Sequence, residues 1–438
     1  MRNLKFIRYI VLILLISYSC NNEKSVTAGG NVNTDDSART DARIGEVLPA
    51  WQEGYLDIDA INTGRGESTF YIFPDGTTML VDAGASLISP TNAIPPPPQK
   101  PDGKTSPGSA IVAFIKYFMP KNNDKLNYML LSHFHVDHMG GYSTALPMAP
   151  AGDFRLSGIT EVGEKIPVGI IIDRGYPNYD YPVDMKEVNN VAHTPDEVKN
   201  YIKFINWAEK AYGAKAEQFK VGSNRQISLK IDPAKYSDFE IRNIVANGRV
   251  WTGRGDSSIN TFPGDMSELL AAKPTENIFS DGFHLSYGKF DYFSAGDLQY
   301  NGKSTYPWLD IETAVSKVMG PVDVMKADHH GTANTDGSAL LEKLDPQAVV
   351  VDVWRDIQPN PETVSRFYAA NPGCNIFLTN LSDANKERLN TFMAKIKSTN
   401  GHIVVRVAPG GSEYMVYVLD DTNEKYEIKE MFGPYKSK

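Results

Sequence analysis

Three histidines and an aspartate fall within six residues, His133-Phe134-His135-Val136-Asp137-His138, and Gly140-Gly141 follow closely. Imidazole and carboxylate are the ligand set favoured by zinc and its first-row neighbours. Clustering them this tightly is electrostatically wasteful unless a cation sits among them. Far along the chain stand a second histidine pair, His329-His330, and an isolated Gly296-Asp297. Gly-Asp alone is a common turn, but here it follows the apolar run Phe290 to Ser294 and lies shortly ahead of the second histidine cluster.

These residues need elements that deliver them to one place. The run Leu126 to Ser132 is short and apolar enough to be a buried strand, so the first histidines begin where backbone pairing stops and side chains can converge on a cleft. Gly140-Gly141 gives the backbone room to turn sharply. The run Val322 to Ala327 reads as a strand that brings His329 and His330 to the same carboxyl edge. Further strands are expected at Tyr55 to Asn62, Thr69 to Phe73 and Thr77 to Asp82, with a hairpin at Pro74-Asp75-Gly76 and a helix at Ala110 to Phe118. Asp57 and Asp59 alternate with apolar residues and read as the solvent face of the first strand. Pro90 to Gly108, with Pro95-Pro96-Pro97-Pro98, has no core-forming content and is expected to be an exposed, extended loop near the mouth of the site.

HFHVDH resembles the HxHxDH signature of the metallo-β-lactamase superfamily. Upstream, Leu56 to Ser68 followed by Met79-Leu80-Val81-Asp82-Ala83-Gly84 is similar to the "DVGQGD... LIDTG" opening of the ComEC-type (competence protein) branch. Downstream, Ser294-Ala295-Gly296-Asp297 and Lys326-Ala327-Asp328-His329-His330-Gly331-Thr332 resemble that branch's "GD" and "KxxHHGS" motifs. The resemblance implies an α/β fold, the four-layer αββα sandwich, with metals at one edge of two facing sheets. It also implies two divalent ions, zinc or manganese. His133 and His135 would hold one, Asp137, His138 and His329 the other, with Asp297 bridging. Asp82 and His330 would stand behind the ligands or meet substrate.

Two such ions would share a hydroxide, lower the pKa of that water and polarise the oxygen of an electrophile, with Asp137 and Asp297 as the catalytic carboxylates. The branch resemblance points to a binuclear metal-dependent hydrolase acting on a phosphodiester, since paired cations suit charge spread over phosphoryl oxygens. The alternatives are a lactone, β-lactam or other ester or amide hydrolase, and, from another class, a catalytically inactive binding lipoprotein at the cell surface. One departure bears on substrate: where the branch typically has an "HPHPE" segment, this chain reads Gln358-Pro359-Asn360-Pro361-Glu362, without its histidines.

Many superfamily members supply the first metal with a third histidine between the HxHxDH and Gly-Asp motifs, and only His193 and His284 lie in that interval here. His193 immediately precedes Thr194, which with Glu197 reads as the capping box of a helix running to Gly213. If Phe283 to Tyr287 and Phe290 to Ser294 form a hairpin turning at Gly288-Lys289, Asp297 lies beside Ser280 and far from His284. The third ligand is therefore expected to be other than histidine: Asp281, Asn277 or water.

Residues 1–19 carry Arg2, Lys5 and Arg8 ahead of an apolar run and Ser17-Tyr18-Ser19-Cys20, the pattern of a bacterial lipoprotein signal. Cleavage before Cys20 would anchor the protein by lipid in the cell envelope, on the periplasmic, outer-membrane or surface side, and leave Cys374 without a disulfide partner. Residues 20–48 read as a flexible tether and 49–438 as one catalytic domain, because the motifs of one site span it. The net charge of -9, more negative still without the three signal cations, argues against strong non-specific affinity for nucleic acid. The partners expected are a small-molecule or phosphodiester substrate and the lipid on Cys20.

The middle section, about 142–270, is longer than the motifs need. Strands are expected there at Val168 to Asp173, Gln226 to Ile231 and Glu240 to Ala246. Asp173-Arg174-Gly175-Tyr176 with Tyr179 and Tyr181 reads either as a substrate-selecting rim or as packing. His402 reads as the start of a strand over Ile403 to Val407.

Overall fold

The computed structural model describes residues 42–87, 97–189, 193–300 and 305–438. The signal segment, Cys20, most of the tether and Pro95-Pro96 lie outside the described residues. The first sheet starts with β1 (Leu56–Ala60), β2 (Thr69–Ile72) and β3 (Thr78–Val81), all antiparallel. The β2–β3 turn closes because Asp75 Oδ1 accepts the Thr77 N–H at 2.8 Å and Gly76 takes φ +87°. Helix α1 (Pro107–Phe118), capped by the Ser106 hydroxyl, then leads to β4 (Leu126–Leu131), which lies parallel to β3.

A single turn, α2 (Val136–Met139), and α3 (Ile159–Lys165) precede β5 (Val168–Asp173), parallel to β4. Helix α4 (Pro195–Tyr212) has the full Thr194/Glu197 capping box and ends at left-handed Gly213. It leads to β6 (Lys215–Gln218), again parallel.

The second sheet takes β7 (Phe239–Ala246), β8 (Arg249–Trp251) and β9 (Ser258–Asn260). Helix α5 (Met266–Ala271) leads to the hairpin β10 (Gly282–Tyr287) and β11 (Phe290–Ser294). Then α6 (Ile311–Ser316), β12 (Val324–Lys326), α7 (Ser338–Leu344), β13 (Ala348–Val351), α8 (Pro361–Ala370) and β14 (Asn375–Leu378) alternate, so that β11 to β14 are parallel. After α9 (Asp383–Arg388) the chain returns to the first sheet as β15 (His402–Val407), β16 (Glu413–Leu419) and β17 (Ile428–Lys436), with β15 beside β1.

The two sheets face each other across one apolar layer that includes Leu56, Ile58, Tyr71, Leu130, Leu285, Tyr292 and Val350. The outer face of the first sheet buries Ile111, Phe114, Val162, Tyr201 and Phe204 from α1, α3 and α4. The outer face of the second buries Ile311, Leu340, Leu344, Val364 and Phe367 from α6, α7 and α8. Each such side chain contributes about 1.5–3 kcal/mol of burial. The result is the αββα sandwich expected from the sequence. Parallel pairing brings the carboxyl ends of β3, β4 and β5 to one edge of their sheet, and does the same for β11, β12 and β13. The histidine and aspartate loops leave from those ends.

Four expectations change. Asp57 and Asp59 are buried rather than solvent-facing: Asp57 is held by Nε and Nη2 of Arg406 across the β1–β15 pair, at 2.8 and 2.6 Å. Gln226 to Ile231 is not a strand, because side chains satisfy its backbone. Tyr128 Oη meets Ser228, Thr77 Oγ1 accepts the Lys230 N–H, and Asp75 accepts the Ile231 N–H. The end of the tether, residues 42–48, packs on the domain, with Ala42 and Leu48 buried and Gly45 bonded to Ile428. Residues 97–100 lie against the loop after β1 instead of standing free: Lys100 donates to Thr63 O, and Arg65 donates to Pro97 O. Among the described residues no helix is long and apolar enough to cross a membrane.

Candidate metal centre

The first ligand loop is fixed from behind. Asp82, at φ +59° just past β3, accepts the Ser132 N–H and hydroxyl at 2.7 and 2.6 Å and takes His138 Nδ1 at 2.8 Å. With Nδ1 committed to Asp82, His138 presents Nε2 to the cleft. The motif residues Gly66 and Gly84 explain themselves here, since a Cβ on either would sit 2.2 or 1.9 Å from Asp137 O. That close approach lets Glu67 N–H bond Asp137 O, and Ala83 N–H bond His138 O, both at 2.8 Å.

The second ligand loop is strained. His329 and His330 have φ of +45° and +56°, a left-handed conformation that costs non-glycine residues about 1–3 kcal/mol each. His330 is buried, donates Nδ1–H to Asp352 O at 2.8 Å, and points Nε2 at Asp137 Oδ2 (3.2 Å) and Asp297 Oδ2 (3.7 Å). His329 is 24 % exposed, with Nε2 3.8 Å from Asp297 and its ring against Asn277 Nδ2 and Thr332 Oγ1. The structure therefore brings His330 to the centre and leaves His329 at the rim, the reverse of the order expected from the sequence.

Asp297 occupies the middle. Its carboxylate lies 3.2 Å from His138 Nε2 and 3.7 Å from His133 Nε2, and His133 Nε2 and His135 Nδ1 converge to 2.8 Å. Potential ligand atoms fall into two groups, each within 4.8 Å: His133, His135 and Asp297, and Glu67, His138, Asp297 and His330. Asp137 joins the second through His330 and, at 4.0 Å, His138. Both Asp297 oxygens and His138 Nε2 are buried without a hydrogen bond. Buried lone pairs that converge with no donor to meet them are what a cation would satisfy, so the residues fit a metal.

The electrostatics reflect this crowding of carboxylates and imidazoles. Burial opposes ionisation of Asp297, yet His138, His330, His329 and His133 hold its carboxyl well below the usual range. Burial likewise opposes the charged form of His138, but Asp297 and Asp82 raise its pKa well above the usual value. Burial raises Glu67, which is paired with the buried Lys326 ammonium at 2.7 Å. Lys326 also donates to Gly296 O at 2.7 Å. Burial pushes Asp352 up to about 7. Glu67, Lys326 and Asp352 carried no assigned role in the sequence reading. The signal was present in the Gly66-Glu67 and "KxxHHGS" positions, but only the fold shows that they meet.

His284 stands opposite Phe293 in the β10–β11 hairpin, whose register pairs Phe283 with Ser294 and Tyr287 with Phe290, and its ring turns to Asp291 at 2.9 Å, outside both ligand groups. Asp297 does lie beside Ser280, whose Oγ accepts its N–H at 3.1 Å. His193 is buried with its ring 6.4 Å from that of Phe134, outside both ligand groups. Asn277 contacts His329, and Asp281 is buried outside both groups, its N–H on Ser132 O. The stretch Asp173 to Tyr181 is packing rather than rim: Asp173 accepts from Gly175, Tyr176, Tyr179 and Tyr201, and Arg174 is buried against Glu276. Where the "HPHPE" histidines are missing, Gln358 Oε1 accepts the Trp354 and Arg355 N–H groups, and Asn360 caps α8.

A two-sheet αββα sandwich with a histidine- and carboxylate-lined cleft at one edge is the architecture of the metallo-β-lactamase fold. Residues 62–144, which carry the Glu67 turn, Asp82 and the whole HFHVDH loop, match the family model described as Metallo-beta-lactamase superfamily. No curated protein matches the chain. Similar solved structures include Igni18, a metallo hydrolase from the archaeon Ignicoccus hospitalis KIN4/I (11 % identity, 80 % of this chain and 98 % of that one, TM-score 0.37). Others are unliganded yeast PDE1 (11 %, 81 % and 99 %, 0.35) and Zn2+-bound PqqB from Methylobacterium extorquens (11 %, 74 % and 97 %, 0.36).

Proposed function

We propose that the protein is a hydrolase that uses two divalent cations, zinc or manganese, and that its substrate is a phosphodiester. The observation that carries this reading is the pair of ligand groups meeting at one buried carboxylate, Asp297. His133, His135 and Asp297 would hold one ion; Asp137, His138, Asp297 and His330 would hold the other, with His330 in the place expected of His329. When bound, paired ions supply a water acidic enough to ionise near neutrality and polarise the electrophile's oxygen.

The chain's own residues keep the ligands in place. Asp82 and the Asp352 carbonyl fix the tautomers of His138 and His330, and Lys326 sits among the surplus carboxylates. His329, partly exposed at the rim, is placed to meet substrate. The phosphodiester assignment draws on the ComEC-type motifs and on the suitability of paired cations for phosphoryl charge.

The test is metal analysis of the purified protein together with hydrolysis of an aryl phosphodiester, a lactone and a β-lactam. Up to two ions per chain and phosphodiester cleavage are expected. His133→Ala and Asp137→Ala should fall below about one hundredth of wild-type activity, since even partners behind a ligand are worth 10–100-fold. Hydrolysis that survives complete metal removal sinks the reading, and turnover of only the lactone or β-lactam moves the substrate class.

A further inference from the structure

The segment from the 3-10 turn Glu276–Phe279 to Asp281 touches the HFHVDH loop, the Asp297 loop and the His329-His330 loop. Glu276 Oε1 accepts the Phe134 N–H at 3.0 Å, and Asn277 Nδ2 lies 3.2 Å from His329 Nε2. Ser280 Oγ accepts the Asp297 N–H at 3.1 Å, and Asp281 N–H donates to Ser132 O at 2.9 Å. The Glu276 contact is the unusual one, because a buried carboxylate oxygen accepts the backbone N–H that lies between His133 and His135.

A carboxylate at that depth needs a cation, and Arg174 provides it in a two-point pair, Nε to Oε1 at 2.6 Å and Nη2 to Oε2 at 2.5 Å. The guanidinium is fixed in turn. It lies 5.2 Å from the Phe134 ring centroid and 5.0 Å from that of Phe279, and Nη1 donates to Tyr181 O and Asn247 Oδ1. Arg174 thus holds Phe134 by its ring, and Glu276 holds it by its N–H. The chain bends at His133 and Phe134 just past the end of β4, and the rings of His133 and His135, which flank Phe134, converge to 2.8 Å, so fixing residue 134 from both sides bears directly on that spacing.

We infer that Glu276, oriented by Arg174, is a positioning residue for the metal centre: it sets the spacing of His133 Nε2 and His135 Nδ1 and hence the affinity of the ion they hold. The inference rests on those two histidines being ligands.

The test titrates the metal-free protein with Zn2+ and Co2+, reading stoichiometry, affinity and the Co2+ absorption bands, and compares wild type with two variants. The pair Arg174→Met with Glu276→Leu removes the acceptor without leaving a buried charge. It should bind one ion at wild-type affinity and the other about 10–100-fold more weakly. Glu276→Gln keeps an oxygen for the Phe134 N–H and should bind both ions at wild-type affinity, though with a lower melting temperature.

Two ions at unchanged affinity in the folded double variant overturn the inference. So does Glu276→Gln losing one ion as fully as the double variant. Should the double variant not fold, Glu276→Asp gives the same reading, because it withdraws the carboxylate by one methylene and keeps the charge; the same selective loss supports the role and unchanged affinity refutes it. A wild-type protein that binds no ion removes the ligand reading itself, and the role of Glu276 with it.

Discussion

At the scale of single residues, the two adjacent histidines after β12 separate by environment. His330 has one nitrogen committed to a carbonyl and the other facing two carboxylates, the arrangement a metal ligand requires. His329 is partly open, is held down to about 4 chiefly by burial, and bonds to neutral side chains. His330→Ala should therefore lose one equivalent of metal and nearly all activity, whereas His329→Ala should keep both ions and lose mainly turnover. Metal analysis of the two folded variants decides it, and the opposite pattern restores the order read from the sequence. The types and spacing of the ligands were legible in the sequence. Which of two neighbouring histidines points inward was not, because that depends on a left-handed backbone at both positions, and nothing in a His-His pair announces it.

At the scale of elements, strand ends matter more than strand interiors. His402 opens β15, buried beside Phe114, and its Nδ1 accepts the Asn62 N–H at 3.1 Å just past the end of β1. Burial first, together with a lone pair already in use, lowers its pKa from 6.5 to about 4. Above 6.5 the ring is neutral folded and unfolded, and its contribution is fully present. As pH falls below 6.5 the unfolded chain takes up the proton first, so stability drains away until the folded ring also protonates near 4. The loss is about 3 kcal/mol in all. Urea unfolding of wild type and His402→Asn, which keeps an acceptor but cannot titrate, should show the stability difference shrinking by that amount between pH 7 and pH 4; parallel curves would refute it. The hairpin β10–β11 was legible to the residue, because alternation and a Gly-Lys turn fix register. Gln226 to Ile231 misled for the converse reason: its apolar alternation is real, but its backbone is claimed by Asp75, Thr77 and Tyr128 from the first sheet.

At the scale of the whole molecule, the sandwich followed from motifs at strand ends, yet the long-range partners of those motifs could not be read. Glu67 and Lys326 are 259 residues apart in sequence and form one buried ion pair between the sheets. The same seam carries His330 against Asp137, again one residue from each sheet's edge. Glu67, Asp137, Asp297 and Asp352 crowd this seam, all of them buried. Cations there would relieve repulsion between the sheets and so stabilise the fold as well as serve chemistry. Ligand bound at about a hundred times its Kd stabilises by about 2.7 kcal/mol. In a domain this large each kcal/mol moves Tm by at most about 2–4 °C. Chelation should therefore lower Tm by a few degrees, and added Zn2+ should restore it. Scanning calorimetry run beside metal analysis makes the measurement, and ions leaving without any change in Tm would show that the metal centre does not help hold the two sheets together.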